Sequence, residues 1–210
     1  MFNLLRIRHQ LDIIYWKFIQ GDNNLRINYP LDKNSIVFDI GGYQGDWSYK
    51  IYQKYQSNIY IFEPVPEYYQ KIIKRFKFKS KIHCFKSGLS DKFVTTCLHI
   101  SDDSSSEFGT NRKVVKIKLR EISDFLNKYR IDHIDLIKIN IEGGEYKLLE
   151  DLIKLKLLDK ICHIQIQFHT NIPDFETRRN KIHDYLKKNH HPTFNYPYVW
   201  ESWSLNSNTI

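Results

Sequence analysis

Cysteine is scarce in this 210-residue chain: Cys84, Cys97 and Cys162 are odd in number, far apart, and include no C-x-x-C pair or Cys/His cluster. That excludes a thiolate zinc site and leaves ordinary reduced thiols in a cytoplasmic protein as the expectation. Proline is also rare at six residues, and with 15% aromatics there is little room for long disordered segments. No window holds the ~20 uncharged apolar residues that a spanning helix needs. The start, MFNLLRIRHQLD, sets Arg6, Arg8 and Asp12 among its apolar positions and so lacks a signal-peptide core. An Arg-rich arm or RNA-binding motif is missing too. The formal charge of +8 comes from scattered short runs, such as Lys71, Lys74, Arg75, Lys77, Lys79 and Lys81, which read as a solvated face. Nucleic acid is therefore the weaker expectation for a partner.

What the chain does have is the stretch SIVFDIGGYQG, Ser35 to Gly45. Ile36, Val37, Phe38 and Ile40 form an almost unbroken apolar run, as in a parallel strand covered on both faces. Asp39, Gly41, Gly42 and Gly45 follow, and then a polar helical pattern begins. A strand, a tight glycine turn and a helix start are where open α/β sheets hold nucleotide-like ligands. A dinucleotide fingerprint requires glycine where Ile40 stands. A carboxylate beside the turn would repel a pyrophosphate but suits a cationic, phosphate-free ligand, and S-adenosylmethionine (SAM) fits that description.

The length suggests one domain, residues 1–210, with no repeat and no linker. Residues 1–34 read as an N-terminal helix and a polar lead-in. Leu4, Ile7, Leu11, Ile14, Tyr15 and Phe18 share one helix face, expected to pack on the domain, with a partner subunit in a homodimer or a membrane surface as alternatives. Residues 35–170 read as the ligand-binding core. NIYIFEP places Glu63 at the tip of a second strand, where an acid can accept hydrogen bonds from both ribose hydroxyls. A third strand is followed by a loop holding Ser87, Gly88 and Leu89, candidates for backbone and apolar contacts to an adenine base. DKFVTTCLHI suggests an added hairpin, and SDDSSSEFGTN, Ser101 to Asn111, a surface loop or a lid. In HIDLIKINIEGGEYKLLEDL, a strand carries Lys138 and Asn140 and ends in Glu142, too many polar groups for a buried strand without partners or a task. In doubly wound order this strand lies beside the first, facing the same crevice. ICHIQIQFH carries Gln167 and ends in His169. Residues 171–210 read as a helix and an aromatic hairpin containing Glu201.

Together VFDIGGYQGDWS, IFEPVPEYY, SGLSD, LIKINIEGGEYKLLEDL and IQIQFH resemble the FkbM-type SAM-dependent methyltransferases from about Asn34 to His169, and more weakly through YVWESWSL. The resemblance implies the class I methyltransferase fold: α/β, Rossmann-like and doubly wound, with a mostly parallel seven-stranded sheet and one antiparallel strand. It also implies O-methylation, often of a sugar hydroxyl or a natural product, with S-adenosylhomocysteine as the spent cofactor. Asp39, Gly41 and Gly45 match the SAM turn, Glu63 the ribose-binding acid, and Glu142, Gly143 and Glu145 the I-E-G-x-E motif. Asn140, a further expected cofactor contact, stands where Asp is expected, and Gln167 where Glu is frequent.

The expected reaction is methyl transfer to a hydroxyl of a glycan or small metabolite. His169 or Glu142 would serve as general base, and Lys138, Glu201 and Gln167 would orient or bind substrate. Asp135, Asn140 and Glu142 are oxygen ligands close in sequence, but on a strand 135 and 140 point to opposite faces, so no metal is expected to be required. Two rivals remain: an RNA or protein methyltransferase, favoured by the charge but lacking an N-P-P-Y type motif, and a silent SAM-binding scaffold.

Overall fold

The computed structural model describes residues 2–101 and 112–207. The expected loop or lid at 101–111 lies almost wholly outside the described residues. The chain alternates strands and helices: α1 (Phe2–Phe18), α2 (Gly21–Asn24), β1 (Ile36–Ile40), α3 (Asp46–Tyr55), β2 (Asn58–Phe62), α4 (Pro66–Arg75) and β3 (Ile82–Phe85). β4 (Gly88–Ser90), β5 (Val94–Ser101), β6 (Arg112–Glu121), α5 (Ile122–Tyr129), β7 (Ile134–Ile139) and α6 (Glu145–Lys154) follow, then β8 (Ile161–Ile166), α7 (Phe175–Asn189), β9 (His190–Tyr196) and β10 (Trp200–Leu205).

Seven strands form one sheet in the order β3-β2-β1-β7-β8-β10-β9. β1 pairs in parallel with both β2 and β7, as the sequence suggests. Strand β10, between β8 and β9, runs opposite to the other six strands of this sheet. The alternating residues of β1 bury two different faces, which is why the run carries no regular polar position. Phe38 and Ile40 join Phe125, Leu149 and Ile182 from α5, α6 and α7. Val37 joins Trp47 and Ile51 of α3 and Ile72 of α4. The added hairpin exists, β5 antiparallel to β6, and β4 joins it as a small three-stranded sheet rather than remaining a loop.

The N-terminal helix departs from expectation. Trp16 and Ile13, rather than Ile7, Leu11, Ile14 and Phe18, face the protein, packing with Val199, Trp200, Phe194 and Tyr196 of the hairpin. Among the described residues, no helix is long and apolar enough to cross a membrane.

Candidate functional site

β1 and β7 end side by side, and the turns that follow them meet. The Gly41 and Gly42 amides both donate to the Phe62 carbonyl, at 3.0 and 3.2 Å, folding the first turn over the end of β2. Gly41 has φ +82°, and a Cβ there would lie 2.0 Å from the Asn140 carbonyl oxygen. A Cβ on Gly42 would lie 2.3 Å from Ile61. No side chain fits either place, so the backbone itself lines the crevice. Gly45 then precedes α3, whose N-terminal amides face the same region.

Glu63 stands where the sequence places it, at the tip of β2 and only 4% exposed. Its carboxylate accepts the Tyr43 amide at 2.7 Å and the Val65 amide at 2.8 Å. Burial raises its pKa to about 7, despite those two amides. Each carboxylate oxygen keeps lone-pair capacity for a further donor.

Two more expected cofactor contacts are buried polar atoms with no partner: Ser87 Oγ and Asn140 Oδ1. Buried polar atoms are ordinarily paired; Asp12 Oδ2, Asp151 Oδ2 and Trp203 Nε1 share this state elsewhere, while these two follow strands that flank the glycine turn. Gly88 follows Ser87, with its Cβ position 3.8 Å from Pro64, the residue after Glu63. Leu89, expected at the base, is instead 2% exposed within the main core. In β4 its side chain turns inward, away from the crevice.

Asp39, expected at the cofactor, and Lys138, expected among the catalytic groups, meet each other beneath the glycine turn. They are register partners on adjacent strands. Lys138 Nζ donates to Asp39 Oδ1 at 2.9 Å and to the Gly41 carbonyl at 2.6 Å, while Ser48 Oγ donates to Asp39 Oδ2 at 2.6 Å. Asp39 is fully buried and Lys138 4% exposed. Burial lowers the Lys138 pKa, opposed by the adjacent Asp39 charge. The pair shapes the glycine turn from beneath and presents no free charge to a ligand.

The same row continues across the sheet, with Lys138 beside Gln165 and Gln165 beside Ser202. The lead-in segment closes over it. Arg26 Nε donates to Gln165 Oε1 at 3.0 Å, its guanidinium lies 3.5 Å from the Trp200 ring centroid, and Tyr29 Oη meets Ser202 Oγ at 3.0 Å. Nothing local in the polar lead-in sequence marks Arg26. Only the register of strands far apart in sequence brings it to the crevice.

The second half of the site gathers around His169, just beyond β8. Glu145, the first residue of α6, is completely buried. Its Oε1 accepts the His169 amide at 2.7 Å and lies 3.1 Å from His169 Nδ1, and its Oε2 accepts the Gly143 amide at 2.8 Å. Glu142 lies on the other side of the ring, 3.7 Å from Nε2. Burial disfavours the imidazolium, but the hydrogen bond and charge of Glu145, with the charge of Glu142, outweigh it, so the His169 pKa is raised. Gln167 is half-buried at the end of β8, its amide donating to the Ile139 carbonyl at 3.0 Å.

Glu201, expected to bind substrate, is fully buried. Arg179 Nε donates to its Oε1 at 2.7 Å, and its Oε2 lies 2.7 Å from His183 Nε2. It anchors α7 to the sheet instead. Among the described residues no group of three or more His, Cys, Asp or Glu side chains converges as a metal site would. A groove of about 260 Å³, lined by Leu126, His133 and Leu157 among others, touches none of these residues.

A doubly wound sheet of this strand order, with a glycine turn after β1 and an acid at the tip of β2, defines a class I methyltransferase fold. The chain matches the methyltransferase FkbM domain over residues 39–191 and belongs to that family, whose methyl donor is SAM. Probable methyltransferase-like protein 24 of Rattus norvegicus is 33% identical over 57 residues, which are 27% of this chain and 16% of that protein, and the Homo sapiens protein matches equally. The chain thus covers about a sixth of the length of those relatives. Among solved structures, the FkbM methyltransferase of Methylobacillus flagellatus KT superposes with a TM-score of 0.57 at 15% identity, over 85% of this chain and 45% of that one. The SMU.1697c protein of Streptococcus mutans, solved with S-adenosylhomocysteine, gives 0.56 at 12% identity, over 90% and 97%. An rRNA methylase of Streptococcus thermophilus gives 0.50 at 13%, over 89% and 94%.

Proposed function

We propose that this protein transfers a methyl group from SAM to a hydroxyl, of a sugar, a glycan or a related small metabolite, with His169 as the general base. The observation that carries this reading is the His169–Glu145–Glu142 cluster, set at the same end of the sheet as the glycine turn and Glu63. SAM supplies an already activated methyl group. What remains for the protein is to align, desolvate and deprotonate. Glu63 would hold the ribose hydroxyls, Ser87 the adenine edge, and Asn140 Oδ1 the ammonium, each through a lone pair that the fold leaves open. Arg26, whose Nη1 already donates to Asp22 Oδ1 at 2.8 Å, would offer its remaining guanidinium N–H groups to the carboxylate of the methionine moiety. Glu145 fixes the His169 ring through Nδ1 and so leaves Nε2 to take the acceptor's proton.

The cofactor half is tested by calorimetry with S-adenosylhomocysteine. Ionised Glu63 is the form that accepts two hydroxyl donors, and its pKa lies at about 7. Affinity is expected to fall by up to about tenfold per pH unit below that value, with binding expelling a proton. The enthalpy will then depend on the buffer's ionisation heat, and both effects should vanish in Glu63→Gln. An affinity flat from about pH 5 to about pH 8 in the native protein, a range reaching roughly two units below the shifted value and one above, would count against the assignment. For the free protein the sign is opposite. A carboxyl raised above its unfolded value of 4.5 contributes stability that is complete below that value and lost as pH rises through about 7.

The net charge of +8 supports a second reading, an RNA acceptor. It predicts an acceptor affinity that falls steeply with salt, whereas a neutral sugar acceptor would be nearly indifferent to salt.

A further inference from the structure

The apolar stripe of α1 points away from the protein. Ile7, Leu11, Ile14, Tyr15 and Phe18 are 53%, 60%, 63%, 52% and 82% exposed. Their spacing places them along one side of the helix. The opposite side holds α1 down: Trp16 lies edge-on to Tyr196 at 5.2 Å and against Phe194 at 5.7 Å, and His9 Nδ1 lies 3.3 Å from the Pro197 carbonyl oxygen. Tyr15 borders both sides, stacking on Tyr196 at 6.0 Å. The helix is therefore anchored by one apolar face while it displays another.

The margins of the displayed face carry charge of one sign. Arg8, Gln10 and Lys17 are its exposed polar residues, and the helix's single acid, Asp12, is half-buried. Apolar side chains between cations complement a surface with anions outside and hydrocarbon beneath. We infer that this face of α1 docks on an anionic lipid bilayer, with the helix lying in the interfacial plane.

A second copy of the chain fits less well. From Ile7 to Phe18 the stripe spans roughly 17 Å at the helical rise. One helix face of that length offers a small part of the ~800 Å² per partner that a stable dimer buries. A bilayer imposes no such threshold, since each inserted side chain and each nearby cation adds to binding, and the chain's net charge of +8 has the right sign.

Docking would have a consequence for the crevice. α1 rests on the turn between β9 and β10, where Tyr198 packs on Phe175 and lies under the Arg179 guanidinium. That turn is at the same end of the sheet as His169, because Glu201 of β10 is paired with Ile166 of β8. The lipid surface would meet the protein at its crevice end.

The test is co-flotation of the full chain with vesicles of phosphatidylcholine alone and of phosphatidylcholine with phosphatidylserine. Binding is expected on the mixed vesicles and to weaken with salt. It should fall about fivefold for each of Arg8→Gln and Lys17→Gln, and at least about tenfold in the double variant Leu11→Glu/Ile14→Glu. All four positions are exposed, so thermal midpoints should not change, and a matched midpoint makes each loss a loss of docking. Equal binding to both vesicle types would overturn the inference, as would full binding by Leu11→Glu/Ile14→Glu or no binding to either. A concentration-dependent dimer in solution, abolished by the same double variant, would assign the face to a second copy and overturn it too.

Discussion

Replacing His169 with alanine is expected to cut turnover by roughly 10²–10⁴ at saturating acceptor while S-adenosylhomocysteine binds as before. The separation follows from the layout: the ring contacts Glu145 and Glu142, and none of the glycine-turn or Glu63 groups. A base works only when neutral, and the carboxylates raise the His169 pKa above its ordinary 6.5. Activity should therefore rise with pH through a midpoint above that value. Glu145→Gln keeps an acceptor for only one of the His169 and Gly143 amides and removes the charge, so the midpoint should move toward lower pH. A merely structural Glu145 would lower the rate without moving the profile. Full turnover in His169→Ala would transfer the base's role to Glu142 or remove it altogether.

The second large effect concerns stability. Asp39→Ala leaves the buried Lys138 ammonium with the Gly41 carbonyl as its remaining partner, and strands Ser48 Oγ. Breaking a buried pair from one side costs about 3–5 kcal/mol. At ~2–4 °C per kcal/mol for a chain of this size, the thermal midpoint should drop by roughly 10 °C. Replacing both members, Asp39→Leu with Lys138→Met, should recover much of that loss, because no uncompensated charge is then buried. If Asp39→Ala alone stays within the ~0.5 kcal/mol typical of surface changes, the pair is not the support described above. Cofactor binding by the stable double variant separates the two roles. Retained affinity means that Asp39 acts only through the fold.

These cases show what a linear reading can reach. β1, the glycine turn and Glu63 are local patterns, each written within a dozen residues, so their positions were legible. The partner of Asp39 was not, because it lies 99 positions along the chain and meets Asp39 only through strand register. A carboxylate beside a glycine turn looks like a ligand contact until a buried lysine is found to occupy it. The same limit applies to Arg26, which reaches Gln165 across 139 positions. Glu145 stood in a recognisable motif, but its hold on His169 depends on α6 beginning where β8 ends. In α1 the periodicity was real, and it marked the wrong face for packing. Both sides of the helix carry apolar residues, and the hairpin's aromatic rings select the side bearing Trp16.

The position of β10 also bears on how the chain is made. This strand is inserted between β8 and β9, although it is synthesised after both. Until residues 200–205 leave the ribosome, β8 has an open edge of unpaired amides and carbonyls, flanked by buried-type isoleucines. Glu201 then completes α7 by receiving Arg179 and His183, groups already waiting on the nascent chain. An interruption of translation between β9 and β10 would thus release an almost complete domain with a sticky edge, a natural client for chaperones.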